Sequence, residues 1–167
     1  AGTSGLDQVG FFLTETSTNL VPSLMSLQKM DHAIMEVLFQ TRNATLATSA
    51  SDEARFTGSK HKRLAAWTVL DQQKIAWEKI PMREETQRSW REFAEKLATF
   101  RPINDGIFVA LEASDVAKAS EIGANKGEPA VKELLIPFNR LVELQGEQAI
   151  KWEKGGEAAQ VSSRQKM

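Results

Sequence analysis

Residues 13–49, LTETSTNLVPSLMSLQKMDHAIMEVLFQTRNATLATS, decide the fold. Alternating steps of four and three from Leu13 reach Ser17, Leu20, Leu24, Leu27, Asp31, Ile34, Leu38, Thr41, Thr45 and Thr48. This spacing marks one face of a long α-helix, because a turn of 3.6 residues falls between the two steps. The stripe is leucine-rich up to Leu38 and threonine-rich after it. A hydroxyl on a core-facing stripe costs stability unless its own helix, water or a ligand satisfies it. The leucine part is therefore expected to hold the helix in a bundle. The threonine part, Thr41 to Thr48, is expected to help build a pocket.

Punctuation residues extend the reading outward. Between Gly10 and Gly123 the only glycines are Gly58 and Gly106, and prolines stand at 22, 81, 102, 129 and 137. No β-branched alternating run lies between turn dipeptides, and tyrosine is absent, so strand signals are weak. The chain is read as all-α, with helices over about 13–50, 53–80, 83–123 and 129–154. Asp52 is a candidate cap for the second helix. Pro102 is expected to bend the third. Gly123–Gly127 is read as the second turn at the first turn's end, and Gly155-Gly156 as the start of a loose polar tail.

The second helix carries a seam at Phe56, Ser59, Arg63, Ala66, Leu70, Gln73, Trp77 and Ile80. The third points Trp90, Phe93, Leu97, Phe100, Asn104, Ile107 and Leu111 inward, and the fourth Val131, Leu135, Phe138, Val142, Gln145, Ala149 and Trp152. Four such helices joined by short turns predict one domain over 1–167, an elongated antiparallel up-down-up-down four-helix bundle. At about 1.5 Å per residue its longest helices approach 50–60 Å, and both termini lie at one end.

Composition narrows the function. The chain has 167 residues and a net charge of −1, without the basic excess of a nucleic-acid binder. Cysteine is absent, which removes disulfides, thiolate metal sites and cysteine nucleophiles. No apolar run approaches the roughly 18 residues of a spanning helix. His32 and His61 lack the Glu-x-x-His setting of di-iron bundles. Each stands beside charged neighbours, as a solvent-exposed histidine does. Met25, Met30 and Met35 read as gap-filling core residues. No phosphate loop or hydrolase motif is present, and no enzymatic activity or cofactor is expected.

Across the first turn, Thr48 is expected near Phe56, Thr45 near Ser59 and Thr41 near Arg63. Burying an unpaired guanidinium is costly, so Arg63 needs a carboxylate, a route to the surface, or a ligand. Asp115 is one candidate partner. Ser114, Asp115, Phe138 and Asn139 are expected at the same level, with Phe56, Trp67 and Phe138 as walls. This mixture suits a small anionic or polar ligand. The alternative is structural, since polar seam positions also fix register and oligomeric state.

With these residues in view, the chain resembles the four-helix-bundle sensor domain of bacterial methyl-accepting chemotaxis proteins. The likeness covers nearly the whole chain. It is carried by Met30-Asp31-His32-Ala33-Ile34-Met35, Gln40-Thr41-Arg42-Asn43, Leu97-Ala98-Thr99-Phe100-Arg101, Asp115-Val116-Ala117-Lys118-Ala119 and Phe138-Asn139. It implies a periplasmic domain of an inner-membrane receptor, tethered by membrane helices before residue 1 and after Met167. It also implies a dimer through helix one, a ligand site near the membrane-distal end, and a small shift of helix four on binding. Gln40-Thr41-Arg42-Asn43 is similar to a stretch of the enteric amino-acid receptors whose arginine contacts ligand at the dimer interface. Two further arginines of those receptors are matched here by Ala47 and Ser51. Other members bind organic acids within one subunit, which the Arg63 seam fits. The expected ligand is a small carboxylate, held by Arg42 or Arg63 with Thr41, Thr45 and Asn139, and walled by Trp67 and Phe138. Arg101 is a further candidate. The alternatives are a structural or partner-binding bundle without a ligand, and the sensor of a histidine kinase or cyclase.

Overall fold

The computed structural model describes residues 20–165; Leu13 and Ser17 lie outside the described residues, as does the side chain of Trp152. Five α-helices follow in order: α1 Val21–Ser49, α2 Glu53–Glu78, α3 Glu84–Glu112, α4 Val116–Ile122 and α5 Glu128–Gln165. A π-helical turn, Gly123–Gly127, joins α4 to α5 without a break. The described residues therefore form four helical rods, with no strand among them.

Two of the expected boundaries move. The chain does not turn at Gly123–Gly127; it turns at Ala113–Asp115, between α3 and α4. Gly155-Gly156 does not loosen the chain either, since α5 runs through it to Gln165. Glycine lowers helix propensity by about 1 kcal/mol but does not forbid a helix that packs along its length.

The α1–α2 and α3–α4 turns are built alike, from Ala50-Ser51-Asp52 and Ala113-Ser114-Asp115. Ser51 and Ser114 adopt left-handed φ values of 55° and 57°. The amides of Asp52 and Asp115 donate back to the carbonyls of Ala47 and Ala110, at 2.8 and 2.9 Å. Each aspartate then caps the next helix, its carboxylate accepting from the amide of Arg55 or Lys118 at 3.0 Å. Asp52 thus caps α2, as its position suggested.

The buried face of α1 takes in only part of the leucine–threonine stripe, namely Leu20, Leu27 and Ile34. Its centre is the adjacent stripe: Ser23, Ser26, Met30, Ala33, Val37, Gln40, Ala44 and Ala47. Leu24 and Asp31 are exposed, and Thr41, Thr45 and Thr48 are half-buried. The buried stripe is mostly small, and α1 makes its most extensive helix contact with α2. Leucine richness marked a flank of the contact instead of its centre. The fourth helix shows a similar shift: Phe138 is buried as expected, but Ala130, Leu134 and Leu141 are buried beside it and Val142 is exposed.

Between α2 and α3 the seams fall as expected, with Ser59, Arg63, Ala66, Leu70 and Trp77 facing Trp90, Phe93, Phe100, Asn104, Ile107 and Leu111. Large rings fill this interface. Trp77 stacks on Trp90 at 5.4 Å, Trp67 meets Phe100 at 5.8 Å, and Phe56 meets Phe108 at 6.2 Å. The rim carries ion pairs between Lys60 and Glu112 and between Arg101 and Asp71. On the α3–α5 side Arg140 bonds Glu85 and Glu143, and these hydrogen bonds push its pKa up.

Candidate functional site

The polar residues do meet, through one amide. Arg63 is 4% exposed and Asn104 is 1% exposed. Arg63 Nε donates to Asn104 Oδ1 at 2.6 Å, and Trp67 Nε1 donates to the same oxygen at 3.2 Å. Asn104 Nδ2 donates to Thr41 Oγ1 at 2.9 Å, and that hydroxyl donates to the carbonyl of Val37 at 2.7 Å. The far end of Arg63 bonds Asp105, which reaches in from the α3 surface. The guanidinium also lies over the Phe108 ring, 4.4 Å from its centroid.

This layer is closed. A carboxylate, an amide oxygen and an aromatic face compensate Arg63 from within the chain, so it has no need of an outside anion. Asp105 does the work expected of Asp115, which is occupied as a helix cap. The one trace of Asp105 in the sequence is its place beside inward Asn104.

The threonines are spent locally. Thr45 donates to the Thr41 carbonyl at 2.9 Å, and Thr48 to that of Ala44 at 2.9 Å. Both make the bond to their own helix that makes threonine tolerable there. Arg101 pairs with Asp71 at 2.7 Å, over the Trp67 ring.

Phe138 and Asn139 do not join this layer. Phe138 packs on Phe93, with ring centroids 5.2 Å apart, and Asn139 is exposed. The cause is register. Because α3 ends at Glu112, a residue of the fourth helix meets α3 much nearer its N-terminus than a turn at Gly123–Gly127 implied.

A cavity of about 740 Å³ opens between the two Ala-Ser-Asp turns, lined by Thr48, Ser51, Phe56, Lys60, Ser114 and Val116 among others. Asp52, Glu53 and Glu112 also line it, and its one lysine is paired with Glu112. That charge balance disfavours a carboxylate.

Arg42 differs from the other candidates. It is exposed and makes no ion pair among the described residues. It belongs to a third α1 stripe at steps of four and three: Val21, Met25, Gln28, His32, Met35, Phe39, Arg42, Leu46 and Ser49. Val21, Met25, Met35, Phe39 and Leu46 are 42–57% exposed. The two exposed methionines are therefore not core fillers, whereas Met30 is buried at 1%.

Among the described residues no cluster of ligating side chains suits a metal ion. Among them no helix is long and apolar enough to cross a membrane. No family model, curated protein or solved structure matches the chain.

Proposed function

We propose that the chain is the extracytoplasmic sensor domain of a bacterial chemoreceptor, an up-down-up-down four-helix bundle that binds a small carboxylate and catalyses no reaction. Cross-helix partners support the antiparallel arrangement, because one residue number falls as the other rises. Phe56–Phe108, Trp67–Phe100 and Trp77–Trp90 do so between α2 and α3, as do Phe93–Phe138 and Glu85–Arg140 between α3 and α5.

The observation that carries the reading is Arg42 standing in the exposed apolar stripe of α1. Regular steps of four and three are what a helix needs to pair with a helix, and the intramolecular contacts use a different stripe. At about 1.5 Å per residue this stripe runs for about 40 Å. A second copy of the chain covers it, and Arg42 then lies at the dimer interface. There a ligand carboxylate pairs with the guanidinium while Phe39 and Leu46 flank its body. Arg63, Thr41, Thr45 and Trp67 hold the subunit together instead of touching ligand. Anchoring segments outside residues 1–167 tether the domain to the inner membrane.

The test is calorimetric titration of organic acids and amino acids into the chain and into Arg42→Ala. Binding by the first and not by the second supports the site; binding by neither sinks it. The structural reading has its own support, because Arg63 is satisfied without a ligand. In that reading the α1 stripe recognises another protein, and the chain responds to no small molecule.

A further inference from the structure

His32 is one of two histidines in the chain, and it is exposed in the outward stripe of α1. Its stripe neighbours are Met25 and Gln28 on one side and Met35 and Phe39 on the other. Met25, Met35 and Phe39 are 52–57% exposed, so the imidazole stands among apolar side chains that the fold itself leaves uncovered. The stripe's one permanent charge is Arg42. Histidine is the side chain that ordinarily changes charge between about pH 5 and 8.

His32 also borders a groove of about 460 Å³ between α1 and α2, floored by Ala33, Ala66 and Val69. Ala33 and Ala66 are each 5% exposed, and their small side chains leave a hollow beside the stripe. The charged residues around it are Lys29 and Glu36 from α1 and Lys62 from α2. Asp31, the preceding residue, is exposed to solvent. The two lysines and the two carboxylates offset each other, so neither protonation state of His32 gains a dedicated partner. Its response to being covered is therefore set by hydration and by whatever packs on the stripe.

We propose that protonation of His32 opens the α1–α1 dimer, so that assembly of the sensor depends on pH. The inference rests on the dimer reading above. With both anchors on one side the pair is parallel, and each stripe position lies close to its own copy, His32 beside the partner's His32. Two neutral imidazoles pack among the methionines. Two imidazolium ions lose hydration, repel each other, and add to the positive charge of Arg42 from both copies. Linkage fixes the sign. The charged form is disfavoured in the pair, so the dimer is at full strength well above the ordinary histidine midpoint of about 6.5 and weakens as pH falls through it. Each histidine can contribute up to about tenfold per pH unit, and the pair holds two.

Sedimentation velocity over a concentration series, at pH 7.5 and 5.5 and constant ionic strength, tests this with the parent chain, His32→Gln and His61→Gln. Both histidines are exposed, and glutamine keeps a polar side chain that does not titrate. The parent's dimer Kd is expected to rise about tenfold or more at pH 5.5, and that of His32→Gln to stay within about threefold. His61 lies on α2 outside the stripe, so His61→Gln follows the parent. A parent Kd that changes less than about threefold overturns the proposal and leaves the dimer standing. An equal pH response in His32→Gln does the same. A parent chain that is monomeric at both pH values overturns the dimer reading itself, and this inference with it.

Discussion

Arg63 and Asn104 are buried together, and the arginine Nε donates to the amide oxygen at 2.6 Å. The amide, more than the charge, organises this layer, because Asn104 also accepts from Trp67 and donates to Thr41. Three helices are thereby fixed in register at one level. Asn104→Leu leaves two buried donors without their acceptor and is expected to cost about 3–4 kcal/mol. Arg63→Met keeps an unbranched body of similar length, leaves Trp67 to satisfy Asn104, and is expected to cost about 1 kcal/mol. Urea denaturation of the two variants gives the order. A larger loss for Arg63→Met contradicts the account of the layer.

The paired turns predict two opposite effects. Ser51 and Ser114 hold left-handed φ values that only glycine adopts freely. Ser51→Gly and Ser114→Gly should each raise stability by about 0.5–1 kcal/mol. Asp52→Ala and Asp115→Ala each remove a cap and should lower it by about 1 kcal/mol. Thermal melts of the four variants check the signs.

The π-turn has a sequence cause. Ala119, Gly123 and Gly127 face inward at two successive steps of four, where a regular seam alternates fours and threes. The helix underwinds to keep all three on the core side. Both glycines face Ile107: a Cβ would meet its Cδ1 at 3.9 Å from Gly123 and 3.7 Å from Gly127, which is ordinary contact. Gly123→Ala and Gly127→Ala should therefore each stabilise the chain by about 0.4–1 kcal/mol. At this size about 1 kcal/mol corresponds to roughly 2–4 °C in Tm. A fall in Tm means that the turn needs its glycines for more than space.

Phe39 is 57% exposed at the middle of the outward α1 stripe. Phe39→Asp puts a charge where a second copy is proposed to pack, and should convert a dimer into a monomer in sedimentation velocity. Val109→Asp is the control, since Val109 is 66% exposed on α3 and should leave the dimer intact. A monomeric parent chain refutes the proposed interface.

Much of the fold was legible because helix periodicity is a strong signal over long runs. Most of the inward faces of α2 and α3 were legible, since rings and Arg63 mark them, although Gln73 and Leu97 are only half-buried and Phe108 is buried off the expected seam. On α1 and α5 only some expected positions are buried, Leu20, Leu27, Ile34 and Phe138 among them, while the centre of each face lies one stripe away. Small residues such as Ala33, Ala44 and Ala47 occupy the centre of the buried α1 face, and leucine counts do not see them. The second turn was misplaced because two glycines outweighed a repeated Ala-Ser-Asp that forms the same backbone twice. That one shift carried Phe138 and Asn139 to the wrong level. The polar layer itself was legible in Thr41, Arg63, Trp67 and Asn104. Its closure by Asp105 was not, because a surface carboxylate reaching inward leaves no periodic trace.

The most direct test of the central claim is a thermal-shift titration of the chain across organic acids and amino acids. A ligand at a hundred times its dissociation constant adds about 2.7 kcal/mol, or roughly 5–10 °C for a chain of this size. The account predicts such a shift for at least one carboxylate and its loss in Arg42→Ala. A flat response across the whole panel, or an equal shift in Arg42→Ala, contradicts it.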